Sequence, residues 1–153
     1  MAPFRVVADF RLRLVGGFDE IEHAAGGRGR VAALLASAKL DPKNPLPHVA
    51  LARWHGGRKQ YPQAQAAVTQ ALQRGPKLLD ALLLRGDLLD ASSDTSGALR
   101  AYEQAIVAHP GSATPHLRMA MLHHRTGAED KALPLYLKVA ELDSRSALAM
   151  NNI

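Results

Sequence analysis

A period of 34 residues limits what this chain can fold into more than any other feature. Pro42, Pro76 and Pro110 stand 34 apart. One further step lands on Ser144, in Glu141-Leu142-Asp143-Ser144, which parallels Lys39-Leu40-Asp41-Pro42. Ala64, Ala98 and Ala132 keep the spacing, as do Val68, Tyr102 and Tyr136, and the small residues Ala52, Gly86 and Ala120. Ala71 and Ala105 agree, with the larger Val139 next in line, while Leu51 and Met119 bracket an off-pattern Arg85. A fixed period of this length marks one supersecondary unit used repeatedly. No single unit can bury its own apolar face, so the stack shares a continuous core.

The units read as helix pairs. Apolar residues make up 47 % of the chain but aromatic ones only 5 %, with alanine and leucine prominent, which favours close-packed helices over sheets. The alanine and glycine columns let helices approach, and the larger columns fill the space between them. Each proline follows a helix and cannot continue its hydrogen-bond ladder. The pattern predicts helices near 46–57, 61–74, 79–92, 96–108, 113–126 and 129–142.

Gly97-Ala98-Leu99-Arg100-Ala101-Tyr102-Glu103-Gln104-Ala105, closed by His109-Pro110, resembles the second helix of a tetratricopeptide repeat. Gly127-Ala128-Glu129-Asp130-Lys131-Ala132 and Gln60-Tyr61-Pro62-Gln63-Ala64 resemble its turn and second-helix start. The resemblance implies an all-α, right-handed α-solenoid with full units at 45–78, 79–112 and 113–146. Residues 17–44 read as a degenerate hairpin. Val31, Leu34, Leu35 and Ala38 form its second helix, Phe18, Ile21 and Ala25 a weak first one, and Arg30 stands in the alanine column. Residues 1–16 are expected to be loosely ordered. Residues 147–153 start a fourth unit that breaks off, as in a fragment of a longer protein or an open end that pairs with a second copy. Ala147-Leu148-Ala149-Met150-Asn151-Asn152-Ile153 is also similar to runs in bacterial tetratricopeptide proteins of the PEP-CTERM/exosortase and exopolysaccharide systems, which implies an envelope role.

Several function classes are disfavoured. There is no cysteine, hence no disulfide, thiolate metal site or cysteine nucleophile. The formal charge is +5, but it is spread out, with seven Lys/Arg against five Asp/Glu in 1–44 and twelve against nine in 45–153. Without a basic stripe or stacking aromatics, no nucleic-acid partner is expected. No run approaches the ~20 apolar residues of a membrane span. Asp9, Arg11 and Arg13 interrupt the start, so it does not read as a secretory signal. As it stands the chain would be cytoplasmic, or periplasmic as part of a longer exported protein. Gly26-Gly27-Arg28-Gly29-Arg30 lacks the lysine and Ser/Thr of a phosphate loop and reads as a flexible linker. His48 and His55, and two units later His116 and His123, occupy columns that hold aromatic rings in the family this chain resembles, which implies packing. Adjacent His123 and His124 would point about 100° apart on a helix and could not chelate together. No metal, no cofactor and no enzymatic activity are expected.

The resemblance further implies that the first helices of successive units line a concave wall. Its inward positions are Leu46, Val49, Arg53, Gly56 and Gly57, then Asp80, Leu83, Asp87, Asp90 and Ala91, then Thr114, Leu117, Met121, His124 and Arg125. The expectation is an apolar centre of Val49, Leu83, Leu117 and Met121, edged by Arg53, by Asp80, Asp87 and Asp90, and by His124 and Arg125. Such a stripe suits a helix or extended peptide. The function implied is a protein-interaction scaffold or adaptor. The alternatives are a structural unit that self-associates through its C-terminal end and an accessory region of a larger enzyme. A clamp for chaperone tails is disfavoured. Its positions hold Val49, Arg53, Leu84, Thr114 and Arg118, of which only the last keeps a suitable basic group.

Overall fold

The computed structural model describes residues 27–143 and divides the chain after Pro42 into two units. In the first, helix α1 runs Gly27–Leu40. It starts earlier than the sequence suggests, because Gly27 to Arg30, read as linker, continue its ladder. Glycine weakens a helix by only about 1 kcal/mol per residue against alanine and does not forbid it. The expected partner near 14–25 and the residues 1–16 and 147–153 lie outside the described residues.

The second unit is all helix among the described residues. It holds α2 (Leu46–Gly57), α3 (Tyr61–Arg74), α4 (Leu79–Ala91), α5 (Thr95–Ala108), α6 (Ala113–Arg125) and α7 (Glu129–Leu142). The pairs α2/α3, α4/α5 and α6/α7 form hairpins; α3 then packs on α4, α5 on α6, and α2 also on α4. This is a helical-repeat solenoid. The core shows how the stack is bound. Val49 and Ala52 of α2, Ala64, Val68 and Ala71 of α3, and Ala81 and Leu88 of α4 form one buried cluster, so the first hairpin is completed by the next. Ala98 and Tyr102 of α5 meet Leu122 of α6, and Ala120 meets Ala132 and Tyr136. The alanines of the 34-residue columns are fully buried, which is what close helix approach requires. Fully burying Val68 and Val139 adds about 1.5–3 kcal/mol each.

The turns inside the hairpins repeat as strictly as the core. Lys59, Ser93 and Gly127, each 34 apart, have φ of 59°, 68° and 76°. At each turn the next residue's N–H closes back on a helical carbonyl: Gln60 on His55, Asp94 on Leu89, Ala128 on His123, at 2.8–3.0 Å. This is a Schellman closure, whose left-handed residue is normally glycine. Only the third turn has one. Lys59→Gly and Ser93→Gly are each expected to stabilise the fold by about 0.5–1 kcal/mol, because the left-handed penalty of an L-residue exceeds the entropy cost of glycine. Urea unfolding checks this, and a lower midpoint in both variants would contradict it.

After the three hairpins, Gly75, His109 and Asp143 share one non-helical conformation, φ −135°, −137° and −140°. The first two precede proline, which disfavours helical geometry in the residue before it. Asp94 starts α5 by accepting a 2.8 Å hydrogen bond from the Gly97 N–H, a cap worth about 1 kcal/mol.

Candidate functional site

The first helices α2, α4 and α6 carry the residues expected to line a wall, and these side chains divide by column. Val49, Leu83 and Leu117 are one column, 34 apart, and it faces inward. Val49 is 5 % exposed within the first cluster, so it is not open to a partner as expected. Leu83 is half-buried against the Ala98–Tyr102–Leu122 cluster, and Leu117 against Ala120, Ala132 and Tyr136. The apolar stripe is therefore mostly used in packing. Leu46 and Met121 are the large apolar side chains of the predicted set that remain exposed, at 55 % and 43 %.

The polar members lie at the surface and pair with one another across helices. Arg53 of α2 lies 3.6 Å from Asp80 of α4. On the other flank of α4, Arg118 Nε lies 3.7 Å from Asp87 Oδ1, and Arg125 bonds Asp90. The three aspartates of α4 are thus flanked by guanidiniums from both neighbouring first helices. Exposed ion pairs of this kind contribute about 0–1 kcal/mol each, so their effect is more on register than on stability. His124 Nδ1 lies 3.0 Å from a Glu129 carboxylate oxygen across the last hairpin turn.

Asp87 has a second partner, because Tyr102 Oη donates a 2.8 Å hydrogen bond to its Oδ1. Tyr102 crosses from α5 to α4 and is 2 % exposed. Gly86 makes this possible. A Cβ there would lie 2.7 Å from Cδ1 and 2.8 Å from Cζ of the ring. Burial, then the Asp87 hydrogen bond and the charges of Asp87 and Asp90, push the Tyr102 phenol well above its ordinary range. Burial, with Glu129 nearby, raises Tyr136 as well. The unfolded phenol ionises near pH 10 and the folded one keeps its proton beyond that. Stability from Tyr102 is therefore full below about pH 10 and is lost as pH rises further. Wild type should lose more stability than Tyr102→Phe between pH 9 and pH 11 in urea unfolding. Parallel losses in the two proteins would refute the assignment.

Between α4 and α6 the surface opens into a cleft of about 570 Å³ lined by Asp87, Asp90, Ser93, Thr95, Arg118 and Arg125. An adjoining cleft of about 450 Å³ shares the four charged residues and adds Met121, His124 and the two tyrosines. The structure therefore brings Asp87, Asp90, Met121, His124 and Arg125 together, places Arg53 and Asp80 as a separate pair on the α2 side, and sets Val49 apart in the core. Arg118, Tyr102, Ser93 and Thr95 were not among the predicted wall residues. Arg118 was legible, since it lies seven residues before Arg125 and so on the same helical face.

Two of the column histidines serve the hairpins. His116 and His123 are 7 % and 8 % exposed, and His116 Nδ1 lies 3.0 Å from the Ser112 carbonyl. Burial, with Arg74 nearby, lowers the His48 pKa. Among the described residues no three His, Cys, Asp or Glu side chains converge as metal ligands, and no helix is long and apolar enough to cross a membrane.

The sequence matches no protein-family model and no curated relative. Solved structures do match. A crystal structure of MamA aligns with a TM-score of 0.69 at 18 % identity, over 80 % of this chain and 72 % of that one. Another, "MamA MSR-1 C2", aligns at 0.65 and 24 % identity, over 83 % and 72 %. TTC0263, a thermophilic tetratricopeptide protein of Thermus thermophilus, aligns at 0.70 and 17 % identity, over 79 % and 68 %. At these identities the likeness is one of fold, and the fold is the tetratricopeptide-repeat solenoid.

Proposed function

We propose that the units at 45–78, 79–112 and 113–146 form a non-catalytic protein-interaction scaffold, which holds a peptide or helix of a partner against the wall of first helices. The observation that carries this reading is the pair of adjoining clefts between α4 and α6. They present guanidinium, carboxylate and hydroxyl groups around the exposed Met121 thioether. Such a surface can bond a peptide's polar groups while covering one apolar side chain. An envelope or exopolysaccharide setting is supported only by residues 147–153, outside the described residues.

Leu83→Glu would disturb the core and Asp87→Lys would leave the Tyr102 hydroxyl without its acceptor, so the cleaner probes are Met121→Asp and Arg125→Glu. Peptides selected from a displayed random library should bind the wild-type chain and lose about tenfold or more in affinity to either variant. Undiminished binding to both variants would sink the proposal.

Self-association is the second reading. It is favoured by Leu133 and Leu137, one helical turn apart on α7 and 45 % and 44 % exposed. Light scattering over a concentration range, beside Leu133→Lys/Leu137→Lys, tests it. A mass that rises in wild type only supports it, and a constant monomer mass dismisses it.

A further inference from the structure

We propose that the partner segment held by this wall is acidic. Arg118 and Arg125 would read a pair of carboxylates flanking an apolar side chain that sits on Met121. This rests on the interaction-surface reading above and adds the chemistry of the ligand.

Of the ion pairs across the wall, the two made by α6 have the arginine as the more exposed end, whereas Arg53 and Asp80 are about equally exposed. The Arg118 and Arg125 side chains are 46 % and 62 % exposed, and those of their partners Asp87 and Asp90 only 37 % and 21 %. Both carboxylates are less exposed than the arginines that pair with them. Asp87 is further engaged by the Tyr102 hydroxyl. Each guanidinium has five N–H donors in a planar fork, and one contact to aspartate leaves most of them unused. An approaching segment therefore meets donors and positive charge first. A basic segment would meet the Arg118 and Arg125 guanidiniums before Asp87 or Asp90. Glu129, the acidic group nearest this face on α7, is engaged by His124.

Spacing sharpens the ligand. Arg118, Met121 and Arg125 lie at i, i+3 and i+7 of α6, on one face, with the two arginines about 10.5 Å apart along the axis. A ligand helix with acidic residues at i and i+7 and an apolar residue at i+3 or i+4 repeats that spacing. The less exposed aspartates then act as positioning groups: they hold each fork in place before the ligand arrives, so less side-chain freedom is lost on binding.

The test uses the whole chain and a fluorescein-labelled, alanine-based helical peptide carrying glutamates seven residues apart with a leucine at i+3. Companion peptides carry glutamine or lysine at the two acidic positions. Anisotropy titration should show the glutamate peptide binding about tenfold or more tightly than the glutamine one, and the lysine peptide weakest. Added salt should weaken the glutamate complex. Arg125→Gln should remove about tenfold, and Arg125→Glu should reverse the preference toward lysine. If circular dichroism shows that either variant has lost its helix, Arg118→Lys and Arg125→Lys replace them. These keep charge but lose the fork and should give a smaller loss. Equal affinity for all three peptides, abolished by Met121→Asp, would overturn acidic recognition while leaving the scaffold in place. No binding of any of them, together with a failed library selection, would overturn both.

Discussion

Replacing Pro134 by alanine is expected to stabilise the protein by about 2–3 kcal/mol, close to the full penalty of proline within a helix. Pro134 is the sixth residue of α7, past the first turn where proline is tolerated. Its nitrogen cannot donate to the Asp130 carbonyl, and its ring crowds that oxygen. The side chain is exposed, so alanine gives up no buried contact. Arg100 and Ala66 take the same register in α5 and α3, without such a constraint. Urea unfolding, with hydrogen exchange of the α7 amides, measures the effect. A midpoint no higher than wild type would mean that the proline is needed to seat Tyr136 and Val139 in the core.

The second large effect concerns Gly86 and Tyr102, which the packing makes a single element. Tyr102→Ala is expected to cost about 3–5 kcal/mol, since it empties a buried ring site and strips Asp87 of a donor. Gly86→Ala is the sharper test. By helix propensity alone it should stabilise α4 by about 1 kcal/mol. The new methyl would instead strike a ring fixed at both ends, and overpacking of that kind costs about 1–3 kcal/mol. The steric term should win, giving a net loss. The register supplies the control. The first hairpin holds Ala52 with Val68 at these two places, so Gly86→Ala combined with Tyr102→Val copies a pair this chain already uses. The double variant should be more stable than the sum of its single changes predicts, a coupling expected only for groups in contact. Additive losses would show that Gly86 does not make room for Tyr102.

Gly86 also shows where the sequence stops being informative. It stands in a column with Ala52 and Ala120, and the period alone marks it as a small-residue position. That it is the smallest residue follows here from the Tyr102 ring lying against its backbone, whereas Ala120 stands in the same register to Tyr136 and keeps its methyl. The hairpin turns make a similar point. Gly127 is a visible turn residue, while Lys59 and Ser93 are not, yet all three adopt the same left-handed conformation. The helix pair imposes the geometry, and the local residue only sets its energy. Asp143 takes the same non-helical conformation as Gly75 and His109 without a proline after it. The prolines therefore reinforce a conformation that the chain also takes without one.

The first helices of the three hairpins were legible in the sequence, and the facing of their columns was less so. Arg53, Asp80, Asp87, Asp90, Met121, His124 and Arg125 lie at the surface. Val49 does not, and Leu83 and Leu117 are half-used in packing. On a helix of the stack, one apolar column can face either the open side or the next hairpin. Periodicity gives the angle between columns but not the direction of the neighbour. The pairing of α4 aspartates with α6 arginines was beyond the sequence for the same reason, since it depends on how far one hairpin is rotated against the next.

The sequence by itself determined the repeat, the helix boundaries of the three hairpins to within a residue or two, and the small-and-large alternation that lets hairpins stack. These are local or periodic properties, encoded wherever a residue must recur every 34 positions. Only the tertiary structure decided which end of each α4–α6 ion pair is the more exposed, that Tyr102 anchors Asp87, and that the open surface lies between α4 and α6. Those follow from the offset between neighbouring hairpins, which is the sum of many contacts and is written at no single position.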